Sequence, residues 1–148
     1  MKTEKNQTNR SLNCYTKLMR AAESVTNRVG RHMSAAGLTI SQFGVLEALL
    51  HKGPLCQRDI ATKILKSTGN ITLVIDNLEK QELVTRERST EDRRYFTVSL
   101  TEAGKELIDT AFASVEAAII AEMGALTVAE QETLGQLCKK LGLGQGSN

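Results

Sequence analysis

Residues 83–100 read LVTRERSTEDRRYFTVSL. Apolar and polar residues alternate on both sides of a hydrophilic tip. In the second run Phe96, Val98 and Leu100 share one side while Tyr95, Thr97 and Ser99 share the other. Alternation with period two marks a half-buried strand, and two such runs around a short polar segment pair as a hairpin. The tip, STEDRR, sets Arg93 and Arg94 next to the acidic pair Glu91 and Asp92. Everywhere else the apolar period is helical, so the fold class is mainly α (α+β).

Immediately upstream, NITLVIDNLEKQ carries Ile71, Val74, Ile75 and Leu78 at i, i+3, i+4 and i+7, the buried stripe of a helix. Its opposite face carries Ser67, Thr68, Asn70, Thr72, Asn77 and Lys80. The turn KSTG separates this helix from QRDIATKIL, where Ile60, Ile64 and Leu65 give a two-turn apolar face. Two helices so tightly joined, the second with short hydrogen-bonding side chains near its start, are laid out as a helix-turn-helix over about 57–80. Gly53-Pro54 ends the helix before them, and Leu55-Cys56 has room for only a very short extended piece. That earlier helix, FGVLEALLHKG, follows TISQ, in which Thr39 and Gln42 have capping-box spacing, and Phe43, Leu46 and Leu50 form its inner face.

The two ends of the chain are helical as well. From about Ser11 to Ala36 the residues Leu12, Tyr15, Leu18, Met19, Ala22, Val25 and Val29 recur at helical steps, and Gly37 closes the segment. After the hairpin, LTEAGKEL opens a helix with Leu107, Ala111, Val115, Ile119 and Met123 on one stripe. Thr127 and Glu130 then repeat the capping-box spacing before Leu134, Leu137 and Leu141. Both terminal stripes run beyond what a small core covers, which calls for a partner surface.

At 148 residues the chain suits one folded unit spanning 1–148. No apolar run approaches the roughly 20 residues of a membrane span, and the polar start MKTEKNQTNR lacks a secretory h-region, so the expected location is the cytosol. Cys14, Cys56 and Cys138 are odd in number and widely spaced, which suits reduced thiols rather than a disulfide framework. The net charge of +2 is unevenly spread. Residues 1–35 carry seven Lys and Arg against two acidic residues, and residues 96–148 carry three against seven.

These elements suit duplex DNA. A helix fits the roughly 12 Å major groove, where Asn pairs with adenine and a Thr methyl packs on thymine, and its N-terminus favours phosphate. An exposed arginine at a hairpin tip suits the negative potential of a narrow minor groove. Asp92 is repelled by phosphate unless it pairs with a neighbouring Arg and fixes its direction. Arg86 and Arg88, in the strand before the tip, are expected to reach the backbone. Other chemistry finds no support: His32 and His51 have no Cys, Asp or Glu at ligand spacing, and neither a Gly-x-Ser-x-Gly elbow nor a phosphate-cradling glycine pattern is present. No metal, cofactor or enzymatic activity is expected.

The stretch LEKQELVTRERSTEDRRYFTVSLTEAG, residues 78–104, resembles the MarR family of bacterial winged-helix regulators, and the likeness extends over nearly all of residues 11–141. Its carriers are the end of the recognition helix, the Leu-Val-x-Arg run from Leu83, the Asp-x-Arg wing at Asp92 and Arg94, and the Leu-Thr-x-x-Gly exit from Leu100 to Gly104. Glu82 stands where the family usually has glycine, which puts the geometry of that turn in question. The resemblance implies a winged helix-turn-helix lobe over 39–100 with its wing at 84–100, and dimerisation helices at 11–36 and 101–141. It further implies a symmetric homodimer reading pseudo-palindromic half-sites about one helical turn apart. Ser67, Thr68, Asn70, Thr72, Arg86, Asp92, Arg93 and Arg94 become the DNA-contacting set. A repressor released by a small molecule, often phenolic or lipophilic, seated between the dimer helices and the winged lobe, is the functional expectation. Two alternatives stand beside it: a peroxide-sensing regulator switched through Cys14, and a protein-interaction module that does not bind DNA. Cys14 lies near the position of the redox cysteine in peroxide-sensing members, but Tyr15 and Tyr95 do not clearly match the tyrosines that support it. The expectation is therefore a buried, packing Cys14, with Cys56 and Cys138 structural.

Overall fold

The computed structural model describes residues 2–64 and 68–145, the side chains at 68 and 69 excepted. In chain order its elements are α1 (Lys2–Ala35), α2 (Ile40–Lys52), β1 (Leu55–Cys56), α3 (Gln57–Lys63), α4 (Thr68–Lys80), β2 (Val84–Arg88), β3 (Phe96–Leu100), α5 (Glu102–Met123) and α6 (Val128–Leu143). The expectations placed on Leu65 and Ser67 lie outside the described residues.

Local chemistry sets many of the boundaries. Thr39 and Gln42 form a reciprocal capping box at α2: the Gln42 N–H donates to Thr39 Oγ1 at 3.1 Å, and the Thr39 N–H donates to Gln42 Oε1 at 2.9 Å. Thr127 and Glu130 repeat it at α6. At the end of α1, Gly37 takes φ 77°, its N–H donates to the Ser34 carbonyl and that of Leu38 to the Met33 carbonyl. This is the Schellman closure, in which a left-handed glycine satisfies the last helical carbonyls. The same closure ends α4, with the Glu82 N–H on the Glu79 carbonyl and the Leu83 N–H on the Leu78 carbonyl. There the left-handed position is Glu82, at φ 58°, the one described residue other than glycine with positive φ.

The hairpin is part of a three-stranded sheet of order β1-β3-β2. The very short extended piece expected at Leu55-Cys56 is its third strand, held by pairing with Val98 and Thr97 on the free edge of β3. On the other edge β2 pairs antiparallel with β3, matching Val84 to Leu100, Arg86 to Val98 and Arg88 to Phe96. One core joins this sheet to the helices. Val45 and Leu46 of α2, Ile60 of α3, Ile71, Ile75 and Leu78 of α4, Val84, Val98, Ile108 and Val115 are all essentially inaccessible to solvent. Ile108, off the stripe drawn from Leu107 to Met123, is the deepest residue of α5.

The wing base is fixed to α5 by Thr101. Its N–H donates to the Leu83 carbonyl at 3.1 Å, and its hydroxyl donates to the Glu82 carbonyl at 2.7 Å while accepting from the Gly104 N–H at 3.0 Å. Gly104 is required by close approach, since a Cβ there would lie 2.0 Å from the Leu83 oxygen.

The terminal helices extend beyond the core. α1 begins nine residues ahead of the expected Ser11, because Lys2–Arg10 contains no proline or glycine and continues the helix as a polar extension. Val25, Val29 and Met33 pack on the core, while Leu12, Tyr15 and Met19 are exposed. α6 buries none of its residues, leaving Leu134, Leu137 and Leu141 exposed. An ion pair between α1 and α5 holds the two terminal regions together, Arg28 Nε and Nη2 each lying 2.8 Å from the Glu122 carboxylate. Hydrogen bonding from Arg28 is the main cause that holds the Glu122 carboxyl below its ordinary pKa. Among the described residues, no single helix is long and apolar enough to cross a membrane.

Candidate nucleic-acid interface

Successive side chains on a helix turn by about 100°, so burying Ile71, Ile75 and Leu78 directs the opposite side of α4 outward. Asn70, Leu73, Asn77 and Lys80 occupy that exposed side. Thr72 does not share it. It is half-buried, and its hydroxyl accepts from Gln57 Nε2 at 2.7 Å, linking α4 to the first turn of α3. Gln57 Oε1 is buried there without a hydrogen-bond partner. α4 starts at Thr68, whose side chain lies outside the described residues together with all of Ser67.

The wing tip is tied by its own polar groups. Ser89 and Tyr95 close it through a backbone hydrogen bond of 2.9 Å, and Ser89 Oγ accepts from the N–H groups of Glu91 and Asp92. Asp92 pairs with Arg94, as its position beside two arginines suggests. Arg94 Nη2 reaches Asp92 Oδ2 at 2.7 Å and Nε reaches Oδ1 at 3.0 Å, while the Arg94 backbone N–H donates to Oδ1 at 3.1 Å. These bonds, led by those from the Arg94 side chain, hold the Asp92 carboxyl below its ordinary pKa and raise that of Arg94. The Arg94 side chain nevertheless remains 80% exposed. The carboxylate thus aims a guanidinium without covering it. Arg93 is exposed, and its carbonyl accepts from Arg88 Nη1 at 2.7 Å.

Arg86, half-buried, and Arg88, exposed, both fold back onto the protein and brace the wing. The Arg86 side chain is 20% exposed, with Nη2 2.6 Å from Asp76 Oδ1 and 3.4 Å from Glu79 Oε1. Both carboxylates belong to α4, so Arg86 fixes α4 to the wing. The guanidinium carbons of Arg86 and Arg88 lie 5.6 and 5.1 Å from the Phe96 ring centroid, within cation–π range.

A second link joins wing and helix pair, since Arg58 Nη1 of α3 donates to the Tyr95 hydroxyl at 3.3 Å. Gln57, Arg58, Arg94, Tyr95 and Phe96 line one notch between them. Gln57 and Arg58 of this notch, and Leu73 on the exposed side of α4, are not singled out by the sequence alone. The helical wheel that finds the core of α4 also marks Leu73, whereas nothing local marks Gln57 or Arg58.

Cys14 is exposed on α1, where it lines a cavity with Leu137, Lys140 and Leu141 of α6; it is not the buried packing residue expected from the sequence. The expected stripe of α1 is covered only toward its C-terminal end, which leaves Cys14 open. Cys138 is exposed too, and Cys56 is half-buried. His32 Nδ1 lies 3.0 Å from Ser114 Oγ in a groove between α1 and α5. His51 packs edge-on against Phe112 and, contrary to the expectation that no acidic residue stands at ligand spacing from it, its Nδ1 lies 3.0 Å from Oε1 of Glu47 one turn earlier, although no cluster of three ligating side chains forms among the described residues.

Comparison with known proteins agrees with this geometry. The MarR family model matches residues 38–96, from the start of the helical lobe to the wing. The HTH-type transcriptional regulator MhqR of Bacillus subtilis is 36% identical over 136 residues, spanning 92% of this chain and 94% of that protein. The HTH-type transcriptional repressor MdtR of the same organism is 30% identical over 109 residues, spanning 74% and 70%. Among solved structures, Bordetella bronchiseptica BpsR, described for the regulation of its DNA binding by 6-hydroxynicotinic acid, superposes with a TM-score of 0.79 at 25% identity, over 88% of this chain and 98% of its own.

Proposed function

This chain belongs to the MarR family of DNA-binding transcriptional regulators, and from that premise we propose that it acts as a homodimeric repressor released from its operator by a small molecule. The observation that carries the reading is the joining of wing and helix pair at one notch flanked by Arg58 and Arg94. α4 offers Asn70, Leu73 and Asn77 to the major groove, Arg94 is aimed at the minor groove by Asp92, and Arg93 adds charge at the tip. Thr68, the first residue of α4, and Ser67, which lies outside the described residues, belong to the proposed DNA-contacting set. Arg86 acts by orientation, holding α4 and the wing at the angle from which both reach one duplex, and Thr72 acts by tying α4 to Gln57.

The dimer follows from uncovered apolar surface. Leu12, Tyr15 and Met19 of α1, Ile119 and Ile120 of α5, and Leu134, Leu137 and Leu141 of α6 are exposed in the single chain. The basic N-terminal and acidic C-terminal segments attract each other, and a two-fold axis through them sets two copies of α4 about one helical turn of DNA apart. MdtR is a repressor by name, and BpsR has its DNA binding regulated by a small acid, which supports the same mode here. The groove with His32, Leu107, Ala111 and Ser114 between α1 and α5 is suited to the effector, because a ligand there changes the path from dimer helices to winged lobe. Such a ligand acts only by binding better to a spacing of the recognition helices that no longer fits the operator.

Selection of bound sequences from a random duplex pool, with sedimentation of the complex, tests the proposal. The expected product is a pseudo-palindrome bound by two chains, with affinity falling steeply as salt rises. A monomer in solution, or binding without sequence preference, refutes it. A peroxide-switched regulator is a second reading, because Cys14 lines a cavity with Leu137 and Leu141 at the surface proposed for the dimer, where its oxidation would alter the packing. If organic hydroperoxide releases DNA equally from the wild type and from Cys14→Ser, that reading fails.

A further inference from the structure

In the lobe from α2 to β3, Leu73 is the most exposed large apolar residue among those described, at 63%. Single exposed leucines are common on protein surfaces and by themselves signify little. The position of this one is particular. It lies two residues from both Ile71 and Ile75, about 160–200° around the helix axis from each, so it stands at the centre of the side of α4 turned away from the core. Asn70 precedes it by one turn and Asn77 follows it by one turn, both exposed. The acidic groups of the helix do not compete for this side, because Asp76 and Glu79 are both drawn to Arg86.

We infer that Leu73 is a specificity-determining residue that packs on the 5-methyl group of a thymine in the major groove. The inference rests on the DNA-binding reading above and assigns a base preference to that site. In the major groove only thymine among the four bases presents a methyl group, and adenine presents the donor and acceptor pair that an Asn amide matches. An aliphatic side chain between two asparagines therefore selects an A·T-containing step, with Leu73 covering the methyl and an adjacent Asn able to take an adenine edge. Water is removed from both apolar groups on contact, and this step reads sequence without a charge.

The test uses the full-length protein and a duplex obtained by selection. Each thymine of one half-site is replaced in turn by deoxyuridine, which removes the methyl and leaves the pairing intact. With the wild type, one position loses affinity by about fourfold, the value expected for one methyl group removed from water. With Leu73→Ala, whose fold is checked by circular dichroism, thymine and deoxyuridine at that position bind alike. Insensitivity of the wild type at every thymine overturns the inference while leaving DNA binding intact, and so does a methyl effect that survives in Leu73→Ala. Failure of the wild type to retain any duplex overturns both readings together.

Discussion

Replacing Glu82 with glycine is expected to stabilise the protein. Glu82 holds φ at 58°, where the Cβ of an L-residue crowds its own backbone at a cost of about 1–2 kcal/mol. Glycine removes that cost but is freer in the unfolded chain, which takes back about 0.5–1 kcal/mol. The backbone bonds at this turn are independent of the side chain: the Glu82 N–H on Glu79, the Leu83 N–H on Leu78 and the Thr101 hydroxyl on the Glu82 carbonyl all persist. Glu82 is exposed, so little packing is lost. The net gain is about 0.5–1 kcal/mol, which raises Tm by roughly 1–4 °C for a domain of this size. Urea and thermal unfolding at one fixed protein concentration measure it, and Glu82→Ala is the control because alanine keeps a Cβ. A Glu82→Gly variant no more stable than Glu82→Ala would show that the left-handed turn is unstrained and would remove the argument.

Gly104→Ala is expected to do the reverse, destabilising by about 3 kcal/mol, since its methyl would sit 2.0 Å from the Leu83 oxygen and force β2 and α5 apart; denaturant melts check this. Asp92→Asn raises the net charge by one, yet duplex affinity should fall several-fold because Arg94 loses its bidentate anchor; a gain in affinity in a gel-shift titration would show that Asp92 only repels phosphate. Arg94→Ala should weaken binding about ten- to hundredfold with little change in sequence preference, and should reduce the salt slope by about two, one for each protomer of the dimer. The Asp92 carboxyl, held low by Arg94, contributes through this pair above the ordinary aspartate range, and the contribution is lost as pH falls through the lower folded-state value. In Arg94→Ala its NMR titration midpoint should move up toward that of an unpaired aspartate.

Elements governed by neighbours in sequence were legible, and those governed by distant partners were not. Thr39 with Gln42 and Thr127 with Glu130 are three residues apart, so their capping boxes could be read directly. Leu55 and Cys56 are too few to announce a strand and become one only because Val98 and Thr97 lie alongside. Glu82 has no local preference for a left-handed turn; the carbonyls of Leu78 and Glu79 and the hydroxyl of Thr101 impose it together. The polar side of α4 was readable as a side, but only the contact with Gln57 shows that Thr72 belongs at its edge.

Arg86 shows how alternation, carried one step further, yields an electrostatic consequence for the whole surface. Pairing with Val98 puts it on the same side of the sheet as a fully buried residue, so its guanidinium extends inward toward α4 and meets Asp76 and Glu79. In the proposed complex α4 enters the major groove, where its two carboxylates, Asp76 and Glu79, would come within a Debye length of the phosphates and oppose binding. The arginine partly cancels that field and takes its position from β2, so the wing supplies the charge balance that the helix lacks. Arg86→Ala should therefore reduce affinity even though Arg86 is mostly covered, and Arg86→Ala combined with Asp76→Asn should recover part of the loss. Additive losses in that pair, measured by duplex titration, would mean that Arg86 acts on DNA directly and that α4 tolerates its carboxylates unaided.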